Sequence, residues 1–132
     1  MEKTIAFISG HRDVTPLEFA NHYAPQIVDA TLDGCLFVVG DYHGADYMSQ
    51  LLLKQTGAAD DTTVFHMFTN PRNYVEGMDK SGGFISDVHR DFAMTLISDF
   101  DICWVREGKE QSGTAQNIER RKLKDNGITD IV

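Results

Sequence analysis

The chain has few cations, few cysteines and no long apolar run, and each shortage argues against a class of protein. Its 132 residues contain 12 lysines and arginines against 20 aspartates and glutamates, which gives a formal net charge of -8. General nucleic-acid-binding proteins normally display a basic surface, so this charge balance predicts no nucleic-acid partner. No apolar run approaches the roughly 20 residues of a membrane-spanning helix, and the first residues do not resemble a signal peptide. We therefore expect a cytoplasmic protein with no membrane partner.

The cysteines and histidines do not predict a disulfide or a metal site. Cys35 and Cys103 both fall in apolar segments that are predicted to be strands, and those strands are not expected to be neighbours. Reduced thiols are ordinary core residues, so we predict two free cysteines. His11, His43 and His89 do not follow the spacing of a compact metal site, and we predict neither a metal nor a cofactor.

Short apolar runs alternate with helical patterns along the chain, which is typical of a parallel sheet covered by helices on both faces. The sequence predicts a single α/β domain over residues 1–132, a Rossmann-like three-layer sandwich. We expect a five-stranded parallel sheet in the order 3-2-1-4-5, in which the strands are Thr4–Ile8, Cys35–Val39, Thr63–Phe68, Asp101–Val105 and Ile128–Val132.

The segments between the predicted strands contain residues that typically begin or end helices. The segment Thr15–Glu18 has the pattern of a capping box with proline at the first helical position, and Pro25 should kink or split the helix that follows. The polar, glycine-bearing segment Thr69–Gly83 is predicted to be a long loop that serves as a lid or a mobile rim. Further helices are predicted from Asp46 to near Gly57, from Ser86 to Ser98 and from Gly113 to Lys124.

The loops that follow the predicted strands suit an anionic ligand. In open parallel sheets ligands bind beyond the carboxyl ends of the strands, where these loops meet. Arg90 would supply a planar and permanently charged guanidinium, and the start of a helix at Gly113 would present free N–H groups. Two simpler interpretations stay open: Ser112 could serve only as a helix cap, and Arg90 could pair with Asp87 or Asp91.

Several of these segments resemble known families. Arg90, Met94 and Asp99, with Gly113-Thr114 further on, resemble the LOG proteins, the cytokinin-activating nucleotide phosphoribohydrolases long mislabelled lysine decarboxylases. Ser9–Arg12 and Gly44-Ala45-Asp46 are similar to loops of the wider SLOG superfamily. The segment Ser112–Ala115 is similar to the Ser-Gly-Thr-Ala motif of nucleoside deoxyribosyltransferases, which have a related fold. The resemblance implies a nucleotide or nucleoside-derived ligand, with its phosphate on Gly113-Thr114 and Arg90 reaching phosphate or ribose.

The chain departs from both enzyme families at the residue that would carry catalysis. Their catalytic glutamate stands three residues after the threonine, where this chain has Asn117. Asparagine binds a ribose hydroxyl but cannot act as a base or form a glycosyl ester. Our first prediction is therefore a binder or sensor of a phosphorylated nucleotide-derived ligand. The predicted ligand-binding residues are Gly10, His11, Arg12, Gly40, Gly44, Asp46, Arg90, Ser112, Gly113, Thr114 and Asn117.

Two alternatives come from other classes of protein. The first is an N-glycosidic hydrolase or transferase, either a nucleoside 5'-monophosphate phosphoribohydrolase or a deoxyribosyltransferase-like enzyme. It needs a relocated carboxylate, for which the candidates are Glu107, Glu110, Asp13 and Asp46, although Glu107 and Glu110 could equally be solvated. The second alternative is an assembly module without a small ligand. Related folds commonly form dimers through helices beside the cleft, so we also predict a homodimer.

Overall fold

The computed structural model describes residues 2–127, which form an α/β fold around one all-parallel sheet. Its five strands are arranged in the order β4-β3-β2-β1-β5. The strands are β1 (Ile5–Ile8), β2 (Leu36–Gly40), β3 (Thr62–Met67), β4 (Asp79–Phe84) and β5 (Phe100–Ile102). The helices are α1 (Pro16–His22), α2 (Ala24–Leu32), α3 (Ala45–Gln55), α4 (Asp87–Ile97) and α5 (Gly113–Asp125).

The predicted Rossmann-like sandwich is confirmed, with one difference at the edge of the sheet. The first four predicted strands lie in the predicted order, as β3, β2, β1 and β5. The fifth strand of the described sheet is β4, which begins inside the segment 69–83 that we predicted to be a loop. This edge strand is polar and glycine-bearing, so it lacks the apolar pattern that marks a buried strand. The predicted strand Ile128–Val132 lies outside the described residues.

Successive side chains of β1 point to opposite faces of the sheet, as strand geometry requires. Ala6 and Ile8 pack with Tyr23 and Ile27 in the core beneath the helices α1 to α3. Phe7 points the other way and contacts the smaller apolar cluster beneath α4, which also contains Val38, Phe65 and Met94. The three layers therefore enclose two separate cores.

The helix α5 is attached largely through polar side chains. Its buried residues are Thr114, Asn117, Arg120 and Arg121. The Arg121 guanidinium donates to the carboxylate of Asp101 at 3.0 Å and to the carbonyl of Ser98 at 2.8 Å. Arg121 thus anchors the helix to the end of α4 and to β5.

The local signals for helix ends are confirmed. Thr15 and Glu18 form the capping box of α1, and Pro25 lies in the first turn of α2, so the helical segment splits after His22. Cys35 and Cys103 are free thiols, and burial raises the pKa of Cys103 to about 12. Within residues 2–127, no helix is long and apolar enough to cross a membrane.

Candidate functional site

A cleft of about 520 Å³ opens at the carboxyl edge of the sheet, between the β1–α1 loop, the start of α3, α4 and the start of α5. Every predicted ligand-binding residue except Gly44 lines it. The fold therefore brings together the loops that the sequence predicted to meet at the edge of the sheet. Tyr42, Asp87, Asp91 and Lys109 also line the cleft, although none of them was among the predicted ligand-binding residues.

Gly44 does not line the cleft but lies against the backbone of the β1–α1 loop, which does. Its φ is +75°, and a Cβ atom there would lie 2.3 Å from the carbonyl oxygen of Arg12. Only glycine adopts this conformation at low cost and leaves room for the β1–α1 loop. Gly44 thus sets how closely the first and second loops of the cleft approach each other.

The His11 side chain is hydrogen-bonded to the backbone of Arg106. Its Nε2 accepts a hydrogen bond from the backbone N–H of Arg106 at 2.9 Å, which requires this nitrogen to be unprotonated. Burial, followed by the nearby charge of Arg106, lowers the pKa of His11. The ring therefore ties the loop after β5 to the loop after β1. The ring also packs edge-on against Trp104, which is only partly buried.

Arg90 lies at the floor of the cleft and is already neutralised. Only 5% of the residue is exposed. Its Nη1 lies 2.8 Å from Asp41 and 3.0 Å from Asp87, and its Nη2 lies 2.9 Å from Asp91. All three guanidinium nitrogens hold carboxylates, since Nε also donates to Asp91 at 3.1 Å. The structure thus agrees with the simpler interpretation of Arg90 as an ion-pairing residue.

A second arginine, which the sequence did not single out, completes this ionic cluster. The Arg72 side chain and backbone N–H bind Asp41 at 2.7 to 3.1 Å, and its Nη2 lies 2.7 Å from Asp87. Burial alone would raise the pKa of Asp41, but hydrogen bonds from Arg72 hold that pKa below its usual value. Arg72 comes from the segment predicted to be a loop, so neither its position nor its partners followed from periodicity.

Asp46 is the least neutralised carboxylate of the cleft. It takes part in no ion pair among residues 2–127, and the hydrogen bond recorded for it comes from the backbone N–H of Tyr42 at 3.2 Å. Burial raises the pKa of Asp46 to about 7. A Cβ atom on Gly40 would lie 2.4 Å from the Asp46 carboxylate and 2.9 Å from the Arg90 guanidinium carbon, so glycine makes room for both groups.

Asn117 connects the floor of the cleft to α5. Its side-chain amide donates to Asp91 at 3.1 Å and accepts from Arg120 at 2.7 Å. A glutamate could not donate to Asp91 in this way. Asn117 thus joins Arg120 of α5 to Asp91 of the ionic cluster, and an amide suits this position because it can both donate and accept.

The rim of the cleft differs from its floor. Arg12 and Lys109 are exposed and line the cleft, and neither takes part in an ion pair within the described range 2–127. The polar partner recorded for the Arg12 side chain is the Tyr42 hydroxyl, at 3.5 Å. At the start of α5, Ser112 caps the helix by accepting from Ala115 at 3.2 Å. The rim thus combines two cations with the positive end of a helix.

Of the four proposed relocated carboxylates, Asp13 and Asp46 line the cleft, whereas Glu107 and Glu110 do not. Glu107 and Glu110 are exposed, do not line it, and Glu110 accepts a hydrogen bond from the backbone of Gly108 at 3.2 Å. Asp13 lines the cleft but is paired with Arg106 at 3.0 Å. Among residues 2–127, no three His, Cys, Asp or Glu side chains are grouped to hold a metal ion.

Comparison with known proteins identifies a similar fold. No protein-family model matches the chain, and no curated protein sequence matches it significantly. A structure of DNA processing protein A from Helicobacter pylori, determined to explain the single-stranded DNA binding mode of that protein, superposes with a TM-score of 0.63. The two are 14% identical, and the match covers 93% of this chain and 62% of that chain. The present chain therefore corresponds to less than two thirds of its structural relative.

This comparison corrects the predicted class of ligand. The solved structure that shares this fold is that of a single-stranded DNA-binding protein, and this finding contradicts the predictions of a small nucleotide-derived ligand and of no nucleic-acid partner. The N-glycosidic alternative is not favoured either. A net charge is summed over the whole surface, whereas binding depends on the charges that stay free at one place, so a net charge of -8 does not by itself exclude a nucleic-acid partner. The resemblance to the SLOG superfamily and the homodimer stay predictions.

Proposed function

We propose that the cleft binds single-stranded DNA through its rim. The observation that carries this proposal is the pair of cations, Arg12 and Lys109, that line the same cleft as the start of α5 and are not neutralised by carboxylates within residues 2–127. Phosphodiester groups bind to such cations and to free backbone N–H groups. The similarity of the fold to a single-stranded DNA-binding protein supports the same class of ligand.

The shape of the cleft favours a single strand over a duplex. A cleft of about 520 Å³ admits a short piece of flexible strand, whereas a duplex presents its phosphates on the outside of a stiff rod. Tyr42 lines the cleft next to Arg12 and is only partly buried. Aromatic rings offer stacking surfaces for bases of any sequence, so we expect little sequence preference.

The acidic surface limits the strength of this interaction. With two free cations, the logarithm of the binding constant should fall with the logarithm of salt concentration at a slope of about -1.4, because each phosphate contact with single strands contributes roughly 0.7. We therefore expect binding that is detectable at low salt and weak near physiological salt. This behaviour would distinguish the protein from a general nucleic-acid binder with a basic surface.

The test is fluorescence anisotropy of a labelled oligothymidylate at low salt, with unlabelled duplex as competitor. The Arg12→Ala/Lys109→Ala double variant should bind roughly tenfold or more weakly, because two charge-assisted contacts are lost. The matched control is Lys3→Ala/Lys122→Ala, which removes the same charge from exposed lysines that do not line the cleft. Absence of saturable binding by the wild type, or an equal loss in the control, would reject the proposal.

A further inference from the structure

The floor of the proposed DNA-binding cleft holds more carboxylates than cations. Asp41, Asp87 and Asp91 surround Arg90, and Arg72 shares two of them. Asp46 lies beside the same guanidinium, across Gly40, without an ion pair among the described residues. Three paired carboxylates and one unpaired carboxyl group thus face two arginines.

Asp46 is also the carboxyl group placed to respond to a ligand. It lines the cleft although only 5% of the residue is exposed, so water screens it poorly. Its recorded hydrogen bond uses Oδ2, which leaves the other oxygen free to carry a proton. The charged and titratable groups nearest to it are Arg90 and Asp91 on α4, Asp41 after β2 and the buried Tyr23 between α1 and α2. Arg12 and His11 line the same cleft, and the exposed His43 contacts the backbone carbonyl of Arg12.

A phosphate that enters this cleft adds another negative charge to an acidic floor. Asp41 cannot easily take up a proton, because hydrogen bonds from Arg72 outweigh its burial and hold its pKa below the usual value. Asp46 has no such partner, and burial already raises its pKa to about 7. A neighbouring phosphate would raise the pKa of Asp46 further, so near neutral pH the protonated form becomes the favoured one.

We propose that Asp46 takes up one proton from solvent when single-stranded DNA binds, and then donates a hydrogen bond to a phosphate oxygen. The proton joins a carboxylate oxygen of Asp46 and returns to solvent when the strand dissociates, and the phosphodiester stays ionised throughout. This inference rests on the proposed function and names the group in the cleft that makes it sensitive to pH. A protonated carboxyl group turns a repulsive contact into a hydrogen-bond donor.

Calorimetry measures this proton directly. Binding of oligothymidylate is titrated at about pH 8 in two buffers that differ in ionisation enthalpy, and the difference in heat gives the number of protons taken up. We expect close to one proton for the wild type and none for Asp46→Asn, which keeps the shape of the side chain. The wild-type affinity should also rise towards acid pH, by up to roughly tenfold per pH unit above the pKa of Asp46.

Two further measurements keep the result unambiguous. His43→Gln removes the exposed histidine near the mouth, and this variant should keep the proton uptake per bound strand; loss of uptake in His43→Gln but not in Asp46→Asn would overturn the inference. If Asp46→Asn does not fold, the carboxyl carbon resonance of Asp46 in the wild type provides the test. Its titration midpoint should move to higher pH with DNA, and an unchanged midpoint would overturn the inference.

The outcomes separate this inference from the proposed function. Binding with equal heats in both buffers would overturn the role of Asp46 and leave the single-strand-binding proposal intact. Absence of binding at every pH would overturn both.

Discussion

The two faces of the sheet are built in different ways. Beneath α1 to α3, the core is a continuous set of apolar side chains that includes Ile8, Tyr23 and Ile27. On the other face, a small apolar cluster around Met94 is joined by buried charges, among them Arg90, Arg121 and the carboxylates that hold them. The first face is held mainly by burial of apolar area, and the second depends heavily on pairs of charged groups.

This difference separates two kinds of stability. Apolar contacts have little directional preference, so one such side chain tolerates several neighbours. A buried charge needs a particular partner at a particular distance, and losing the partner leaves an unpaired charge away from water. The ionic face also borders the cleft, so the groups that hold it together set the potential that a ligand meets.

The largest expected effect comes from breaking the ionic face at its centre. Arg90→Ala should lower the free energy of unfolding by about 3–5 kcal/mol, because Asp41 and Asp91 lose a buried partner. Urea denaturation at neutral pH measures this change. Ile27→Ala on the apolar face should cost about 2–5 kcal/mol through a cavity instead.

Arg12→Ala is the matched control for this comparison, since it removes the same charge from an exposed position without an ion pair among residues 2–127. We expect its stability to change by less than about 0.5 kcal/mol. Equal losses in Arg90→Ala and Arg12→Ala would contradict the distinction between the floor and the rim.

Asp46 provides a pH-dependent test of the ionic face. Its pKa is raised to about 7 in the folded protein, so the folded state binds more protons than the unfolded state between about pH 4 and 7. The wild type should therefore lose stability as pH rises through this window, and the full penalty should be present above it. Asp46→Asn does not titrate, and we expect it to be more stable than the wild type by roughly 2–4 kcal/mol near pH 8.

Thermal or urea unfolding of the wild type and of Asp46→Asn across this pH range measures the difference in stability. We expect the two proteins to be similarly stable near pH 4. A difference that stays constant with pH would show that the gain comes from a contact of the new amide. A difference that grows towards acid pH would contradict the burial of an unpaired carboxyl group.

Apart from the Arg12→Ala control, the smallest of these effects concerns Asn117, which joins the floor of the cleft to α5. Asn117→Ala should destabilise the protein by about 1–3 kcal/mol, because the partly buried Asp91 and the buried Arg120 each lose one hydrogen bond. Urea unfolding detects the loss, and hydrogen exchange should show it most strongly in α5. Full stability in this variant would mean that α5 does not depend on the ionic network.

The sequence signals that succeeded were those carried by near neighbours in the chain. The capping box at Thr15 and the break at Pro25 each depend on residues within one helical turn, and each is confirmed. The order of the first four predicted strands followed from alternating strands and helices and from the general rules of parallel sheets. Even the loops of the cleft were predictable, since parallel strands place all their carboxyl ends at one edge.

The sequence analysis failed where the interacting residues lie far apart in the chain. Arg90 contacts Asp41, which lies 49 positions earlier, and Arg72 contacts the same carboxylate from a segment with no apolar pattern. Strand β4 was missed because an edge strand does not need an apolar face. Glu107 and Glu110 seemed available for the cleft only because the direction of their turn could not be inferred from the sequence.

The amino-acid sequence alone determined the α/β architecture and the edge of the sheet where the cleft forms, because periodicity and helix caps are local properties of the chain. The tertiary structure alone decided which charges in that cleft are free. Arg90 is neutralised and the pKa of Asp46 is raised because side chains distant in sequence meet in a place that water hardly reaches, where each charge depends on its immediate neighbours.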